Sequence, residues 1–212
     1  MKWVSNIFIL ILIYLICSAR SCTDEGNMNE LNEEKLLSAS KVSIKQAFEV
    51  DSPGDELLKA YEATARQKLT DFADYLKIAS DSSMDTTFRK QALEMAGKLF
   101  ISGETDTRKW NKAYPRPNLN TLEQLLEKSL SQGMPCWVQP SRINVNTPLT
   151  WKNDSTFTGS LSFYQQCILF DKPDPLGSIS SMLVIDIYAL KKVKFFGKEH
   201  LSIWEVYLGD IN

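Results

Sequence analysis

Met182-Leu183-Val184-Ile185-Asp186-Ile187-Tyr188-Ala189-Leu190, the basic stretch Lys191-Lys192-Val193-Lys194-Phe195-Phe196, and the return His200-Leu201-Ser202-Ile203-Trp204-Glu205-Val206-Tyr207-Leu208 decide the fold of this chain. From Ile179 to Phe196 the sequence is nearly continuously apolar and rich in β-branched and aromatic residues, which predicts a long strand. Gly197 and Lys198 form a tight turn, so His200–Leu208 returns antiparallel. Pairing the two strands about that turn puts Glu205 opposite Leu190 or Lys191 and Asp186 near Gly209. Lys191, Lys192, Lys194 and Lys198 then sit at the solvated end of the hairpin, where lysines guard exposed strands against edge-to-edge association.

Upstream, Thr156–Phe170 alternates Leu161, Phe163, Cys167 and Leu169 on one face, and Asp171–Gly177, with Pro173 and Pro175, is the turn that follows it. Cys136–Val145 reads as an edge strand, because Pro140 has no N–H to give to a ladder. Before Pro135 the texture is helical. Ser52 as cap, Pro53 in the first turn and Asp55 and Glu56 at the positive dipole end open helix one, with Leu58, Tyr61, Ala65, Leu69, Phe72, Leu76 and Ala79 as its apolar face. Asp85 caps helix two, whose face is Phe88, Ala92, Met95, Ala96 and Leu99, and Gly103 stops it. Residues 104–118 are irregular. Asn120 caps helix three, with Glu123 completing a capping box and Leu122, Leu125, Leu126 and Leu130 as its face, and Gly133 and Pro135 end it. The expected class is α+β: three N-terminal helices packed on a curved antiparallel sheet of about four to five strands, as one domain over residues 53–212.

This order of elements resembles the nuclear-transport-factor-2-like fold, a cone of sheet wrapped over a long first helix, over residues 53–212. A similar cystatin-like α+β fold is the rival. The resemblance implies a pocket between the concave sheet face and the helices, where enzymes of that class, the cyclases and isomerases, place an acid or a histidine.

The N-terminus predicts export. Lys2 is a short positive region, Ile7–Ile16 is unbroken apolar sequence, and Ser18, Ala19 and Ser21 supply a small-residue exit. Ala19-Arg20-Ser21-Cys22, followed by the polar Thr23-Asp24-Glu25-Gly26-Asn27, resembles the lipobox of bacterial lipoproteins, which implies lipidation at Cys22. Arg20, and the lack of a leucine three residues before the cysteine, depart from that pattern. Cleavage after Ala19 giving a secreted or periplasmic protein, and a retained anchor, are the alternatives, the apolar run being shorter than the roughly 20 residues that span a bilayer. Residues 1–22 are thus a signal segment and residues 23–52 an acidic, amide-rich tether in which Leu36, Leu37, Val42, Ile44 and Phe48 can make one helix.

Hydrophobic residues are 43% and charged residues 24% of the chain, the mixture of an ordinary globular protein. Its net charge is −2, and removal of the signal segment takes away Lys2 and Arg20 and no acid, so nucleic acid is not an expected partner. Chemistry-bearing motifs are scarce. The sequence has no Gly-x-Ser-x-Gly elbow, no phosphate loop and no dinucleotide glycine fingerprint. His200 is the single histidine and falls at the hairpin turn, too little for a zinc site. No catalytic residue, metal or cofactor is assigned. Asp186, a carboxylate among apolar neighbours, and Tyr164 are the candidate pocket residues. Glu205 is expected to pair with Lys191 across the hairpin. Cys136 and Cys167, on separate strands of an exported protein, are a candidate disulfide. Asn153-Asp154-Ser155 matches a glycosylation acceptor, which would matter in a eukaryotic host. Two functions follow: a non-enzymatic binding or accessory module of the cell envelope, meeting a small molecule or an envelope protein, with the membrane touched only through the N-terminus; or a small pocket enzyme of the cyclase, isomerase or dehydratase type using Asp186 or Tyr164.

Overall fold

Among the described residues, three helices and then four strands follow one another: α1 (Asp55–Ser80), α2 (Thr86–Lys98), α3 (Leu122–Gln132), β1 (Cys136–Asn153), β2 (Thr156–Leu169), β3 (Leu183–Phe196) and β4 (Glu199–Ile211). This computed structural model describes residues 53–110, 119–132, 136–169, 182–197 and 199–212. The signal segment, Cys22, the tether and the Ser52 cap lie outside the described residues.

Helix α1 begins at Asp55, with Gly54 in extended conformation just before it and the Gly54 carbonyl accepting from the Leu58 N–H at 3.0 Å. Ala65, Leu69, Phe72, Leu76 and Ala79 are buried as the periodicity predicts, while Leu58 and Tyr61, in the first turns, pack only partly against the core. In α2 the Asp85 carboxylate accepts from the N–H groups of Thr87 (2.8 Å) and Phe88 (3.3 Å), as expected of a cap. The predicted apolar face of α2 needs correction. Ala92, Ala96 and Leu99 are buried, but Phe88 is 51% and Met95 44% exposed. At 100° per residue these two lie roughly 40–60° round the helix from Ala92, and the small alanines are the residues that let α2 approach its neighbours closely.

Gly103 does not end α2. The helix stops at Lys98 because the chain is captured by the sheet: Phe100 pairs in parallel with Leu208, the Ile101 N–H donates to the Leu208 carbonyl at 2.9 Å, and the Leu208 N–H donates to Leu99 at 2.9 Å. The cap of α3 is also one residue later than predicted. Thr121 Oγ1 accepts from the Gln124 N–H at 3.4 Å, and the Gln124 side chain accepts from the Asn120 N–H at 2.9 Å. Carbonyls of Thr105 and Gly103 take the N–H groups of Leu122 and Glu123. Thr121→Ala is therefore expected to cost about 1 kcal/mol in urea denaturation, and Asn120→Ala less than half of that. Equal costs would return the cap to Asn120.

The sheet has the order β1-β2-β3-β4 with every neighbouring pair antiparallel. Pro140 lies in β1, an edge strand, as its missing donor requires. β1 continues through Asn153, well past the predicted Val145, and turns into β2 at Asp154-Ser155, where Asn153 Oδ1 accepts from both the N–H and the hydroxyl of Ser155. Residues 179–181, predicted to open β3, lie outside the described residues.

Alternation sets the two faces of the sheet. Phe157, Leu161 and Phe163 of β2, Leu183, Ile185, Ile187 and Ala189 of β3, and Val206, Leu208 and Ile211 of β4 pack on Leu69, Phe72 and Leu76 of α1. Trp110, fully buried, closes the centre, its ring 4.9 Å from that of Phe72 and 6.0 Å from that of Phe163. Among the described residues, Phe72, Trp110 and Phe163 pack ring against ring at the centre of the layer between α1 and β2.

Candidate functional site

Asp186 stands on the other face. Ile185 and Ile187 on either side of it point into the core, and the pleat turns Asp186 and Tyr188 outward, opposite Ser160 and Thr158 of β2. There they border an open cleft of about 340 Å³, shared with Thr147, Thr150, Lys152 and Ser160. Asn146 reaches across from β1 and donates to Ser160 Oγ at 3.1 Å. Asp186 is thus in a polar, open cleft rather than between sheet and helices.

A bulge shapes this cleft. Ile185 pairs with Ile211 but Ile187 with Leu208, so β4 carries one extra residue opposite Asp186. Gly209 lies there, as the register predicted, and the Tyr188 ring rests against it: a Cβ on Gly209 would come within 2.4 Å of Tyr188 Cε2. The bulge also brings Asp210 toward Asp186, an acid neighbour that counting pairs from the turn did not reveal. Burial raises the Asp186 carboxyl pKa above its ordinary value, and the Asp210 charge raises it further. Burial likewise raises the Tyr188 phenol, with Asp186 and Asp210 adding to it. Asp210 itself accepts from the Asp106 N–H at 2.8 Å.

The sign of the pH effect follows. A carboxyl whose folded pKa lies above its unfolded value of 3.8 is least favourable when ionised, so it costs nothing well below pH 3.8 and its full penalty applies at neutral pH. Asp186→Asn is expected to stabilise the fold at pH 7 by about 0.5 kcal/mol, small because solvent still screens the group, with the gain vanishing near pH 3. Thermal melts of both proteins across that range check it, and a loss of stability at pH 7 would show Asp186 to be a favourable partner instead.

Tyr164 is also turned outward, two pairs further along β2, with the Arg142 guanidinium 5.8 Å from its ring centroid. It does not border the Asp186 cleft. Arg142 has φ 51°, at a register shift of β1. Cys167 is disulfide-bonded. Cys136, its expected partner, stands opposite Leu169 on the adjoining strand, and its side chain lies outside the described ones. His200 is exposed, its ring 4.5 Å from Phe195 in an edge-on contact. Among the described residues, no three His, Cys, Asp or Glu side chains converge as a metal would require.

Glu205 faces Leu190, within the expected register, but the pleat puts Lys191 on the opposite face, beside Trp204. The salt bridge of Glu205 is with Lys194, which corrects the Lys191 pairing. Tyr207 donates its hydroxyl proton to Glu205 Oε2 at 2.5 Å and accepts from Lys192 Nζ at 2.7 Å. Burial alone would raise the Glu205 carboxyl; the hydrogen bonds from Lys194 and Tyr207, with the lysine charges, outweigh it and hold the pKa below its ordinary value. These residues form one wall of a second, larger groove of about 530 Å³, whose other walls are Lys68 of α1, Lys98 of α2, and Phe100 and Ile101 after it. Nothing in the sequence pattern singled out Lys68 or Lys98, since each simply follows or precedes a buried helical position.

Comparison with known proteins finds no matching family model, no similar curated protein and no similar solved structure.

Proposed function

We propose that this chain is an exported binding or accessory module of the cell envelope, performing no covalent chemistry, that engages a small molecule or an envelope protein. The observation that carries this reading is the outward placement of Asp186 and Tyr164, the candidate pocket residues, on the sheet face turned away from the core. Trp110, Phe72 and Phe163 occupy the region where a pocket enzyme of the nuclear-transport-factor-2-like kind would hold its substrate. We assign the fold to that kind by its element order, with the sheet curved over α1; packing of α1 on both edge strands, β1 and β4, supports the assignment. Asp186 and Tyr164 lie on the outer face and serve surface recognition rather than proton transfer.

Export is carried by Lys2, the apolar Ile7–Ile16 and the lipobox-like Ala19–Cys22. Lipidation at Cys22 attaches the module to the membrane through its N-terminus, and the acidic residues 23–52 act as spacer. Intact-mass measurement on protein from the native host is expected to show loss of the residues before Cys22 and an added acyl mass that disappears in Cys22→Ala. Retention of Met1 would remove export by cleavage. Turnover of any small molecule, lost in Asp186→Asn while the fold survives, would replace the binding module by a cyclase, isomerase or dehydratase.

A further inference from the structure

We infer that the groove between β4, the end of β3 and the first two helices is a binding site for an organic anion, a carboxylate or phosphate group carried on an apolar body. The inference rests on the reading of the chain as a binding module and names the site and the class of ligand.

Charge is the first argument. Lysines from three separate elements border the groove, Lys68 from α1, Lys98 from α2 and Lys192 from β3, in a chain whose overall charge is −2. Glu205 is the single carboxylate in the lining, and its charge is already taken by Lys194 and by the Tyr207 hydroxyl. Asp71, on the same helix as Lys68, accepts from Gln67 at 2.7 Å and is the other acid that acts on Lys68. The cationic side of the groove is thus left in excess.

The second argument is how the ammonium groups are held. Lys68 and Lys192 both sit against the Tyr207 ring, their nitrogens 5.4 and 4.2 Å from its centroid. Lys192 also donates to the Tyr207 hydroxyl at 2.7 Å, whereas the contact given for Lys68 is the ring face, which supplies only a modest attraction. Partial burial lowers the Lys68 pKa, the charges of Glu205 and Asp71 opposing that effect and Lys194 adding to it. An anion seated among Lys68, Lys98 and Lys192 compensates the lost solvation of Lys68 and the repulsion it feels from Lys194.

The third argument concerns the apolar half. Phe100 and Val206 form a buried floor, while Ile101 is 45% exposed at the rim. An exposed isoleucine beside a lysine cluster suits a ligand with an aromatic or aliphatic body. The groove volume, about 530 Å³, falls within the usual range for small-molecule sites.

Phenyl phosphate and benzoate, the same ring with two anionic heads, are the probes, with inorganic phosphate as the charge alone and benzyl alcohol as the ring alone. Thermal shift and calorimetry on the mature protein are expected to show at least one of the two ring anions binding at millimolar concentration. Inorganic phosphate and benzyl alcohol should bind more weakly by about tenfold or more. Lys98→Ala/Lys192→Ala is expected to weaken the ring anion by about tenfold, and Lys152→Ala, in the outer cleft, to leave it unchanged. Lys98→Ala alone, at an exposed helical position, serves if the double variant does not fold, with a smaller loss expected. Equal affinity in the lysine variants would overturn the inference and leave a binding module with its site elsewhere. So would equal binding of benzyl alcohol or inorganic phosphate, or no binding of either ring anion.

Discussion

Trp110→Ala will destabilise the fold by about 3–5 kcal/mol, lowering the melting temperature on the order of 10 °C, the largest effect of any single truncation considered. Trp110 is fully buried and is the largest side chain in the core. Its ring meets Phe72 of α1 on one side and Phe163 of β2 on the other, and Phe72 in turn stacks edge-on against Phe100 at 4.7 Å. Four aromatic rings from four different segments therefore share one contact chain, and removal of Trp110, the link between Phe72 and Phe163, leaves a cavity that none of the others can fill alone. Trp110→Phe keeps an aromatic ring in that place and should cost less than half as much. Denaturant midpoints of the two variants test the ordering. If both fall within 1 kcal/mol of the parent, Trp110 does not close the core.

Gly159→Ala is expected to cost about 2–3 kcal/mol for the opposite reason, crowding. A Cβ at this position would lie 2.7 Å from the Thr147 carbonyl oxygen and 3.0 Å from both the Leu149 nitrogen and the Pro148 carbonyl carbon. These are backbone atoms of β1, at the register shifts between Val145 and Thr150, and they cannot swing aside as a side chain can. The methyl group must push β1 away from β2. Urea denaturation should show the loss, and hydrogen exchange should show faster opening of the amides near Thr147 and Leu149. Gly97→Ala is the control. Its added carbon meets only Leu126 Cδ1 at 3.6 Å, an ordinary contact, and α2 should gain about 0.5–1 kcal/mol. Equal effects at the two positions would mean that the close approach at Gly159 is not rigid.

The hairpin register was legible because Gly197 and Lys198 pin it. Counting from that turn places Glu205 opposite Leu190 or Lys191 and Asp186 by Gly209; the structure has Leu190 opposite Glu205 and Gly209 beside Asp186. The same counting assigned Lys191 to Glu205, and there the period of two defeats it: one residue along the strand is the other face of the sheet. Asp210 was missed for a related reason. The bulge between Ile185 and Ile187 adds a residue to β4, and nothing local to either strand announces it. The second half of β1, Asn146–Asn153, has only Leu149 and Trp151 as large apolar residues and contains Pro148, too short an alternation to mark a strand, so its pairing with β2 was not read from the sequence.

Helix starts were read to within two residues, that of α2 at its cap Asp85 itself, since a cap is a contact between a side chain and an amide two or three positions on. The end of α2 was not, because it is set by Leu208, more than a hundred residues away, drawing Phe100 into the sheet. The candidate sites divide along the same line. Asp186 stood out as a charge within an apolar strand, but the face it occupies depends on which side of β3 the helices cover. The lysine groove combines Lys68, Lys98, Lys192 and Tyr207 from four elements, a convergence that exists only once α1 and α2 have packed beside β4.

What the sequence determined by itself is the set of properties that act over a turn of helix or a pair of strand residues: the caps, the apolar stripe of α1, the alternation of β2, the turn at Gly197 and the α+β class they imply. The tertiary structure alone decided that Trp110 fills the centre, that Asp186 faces outward beside Asp210, and that three distant lysines share one groove. Each of those outcomes turns on burial, which is a property of the assembled layers, and the same strand sequence satisfies its own hydrogen bonds whichever face the helices cover.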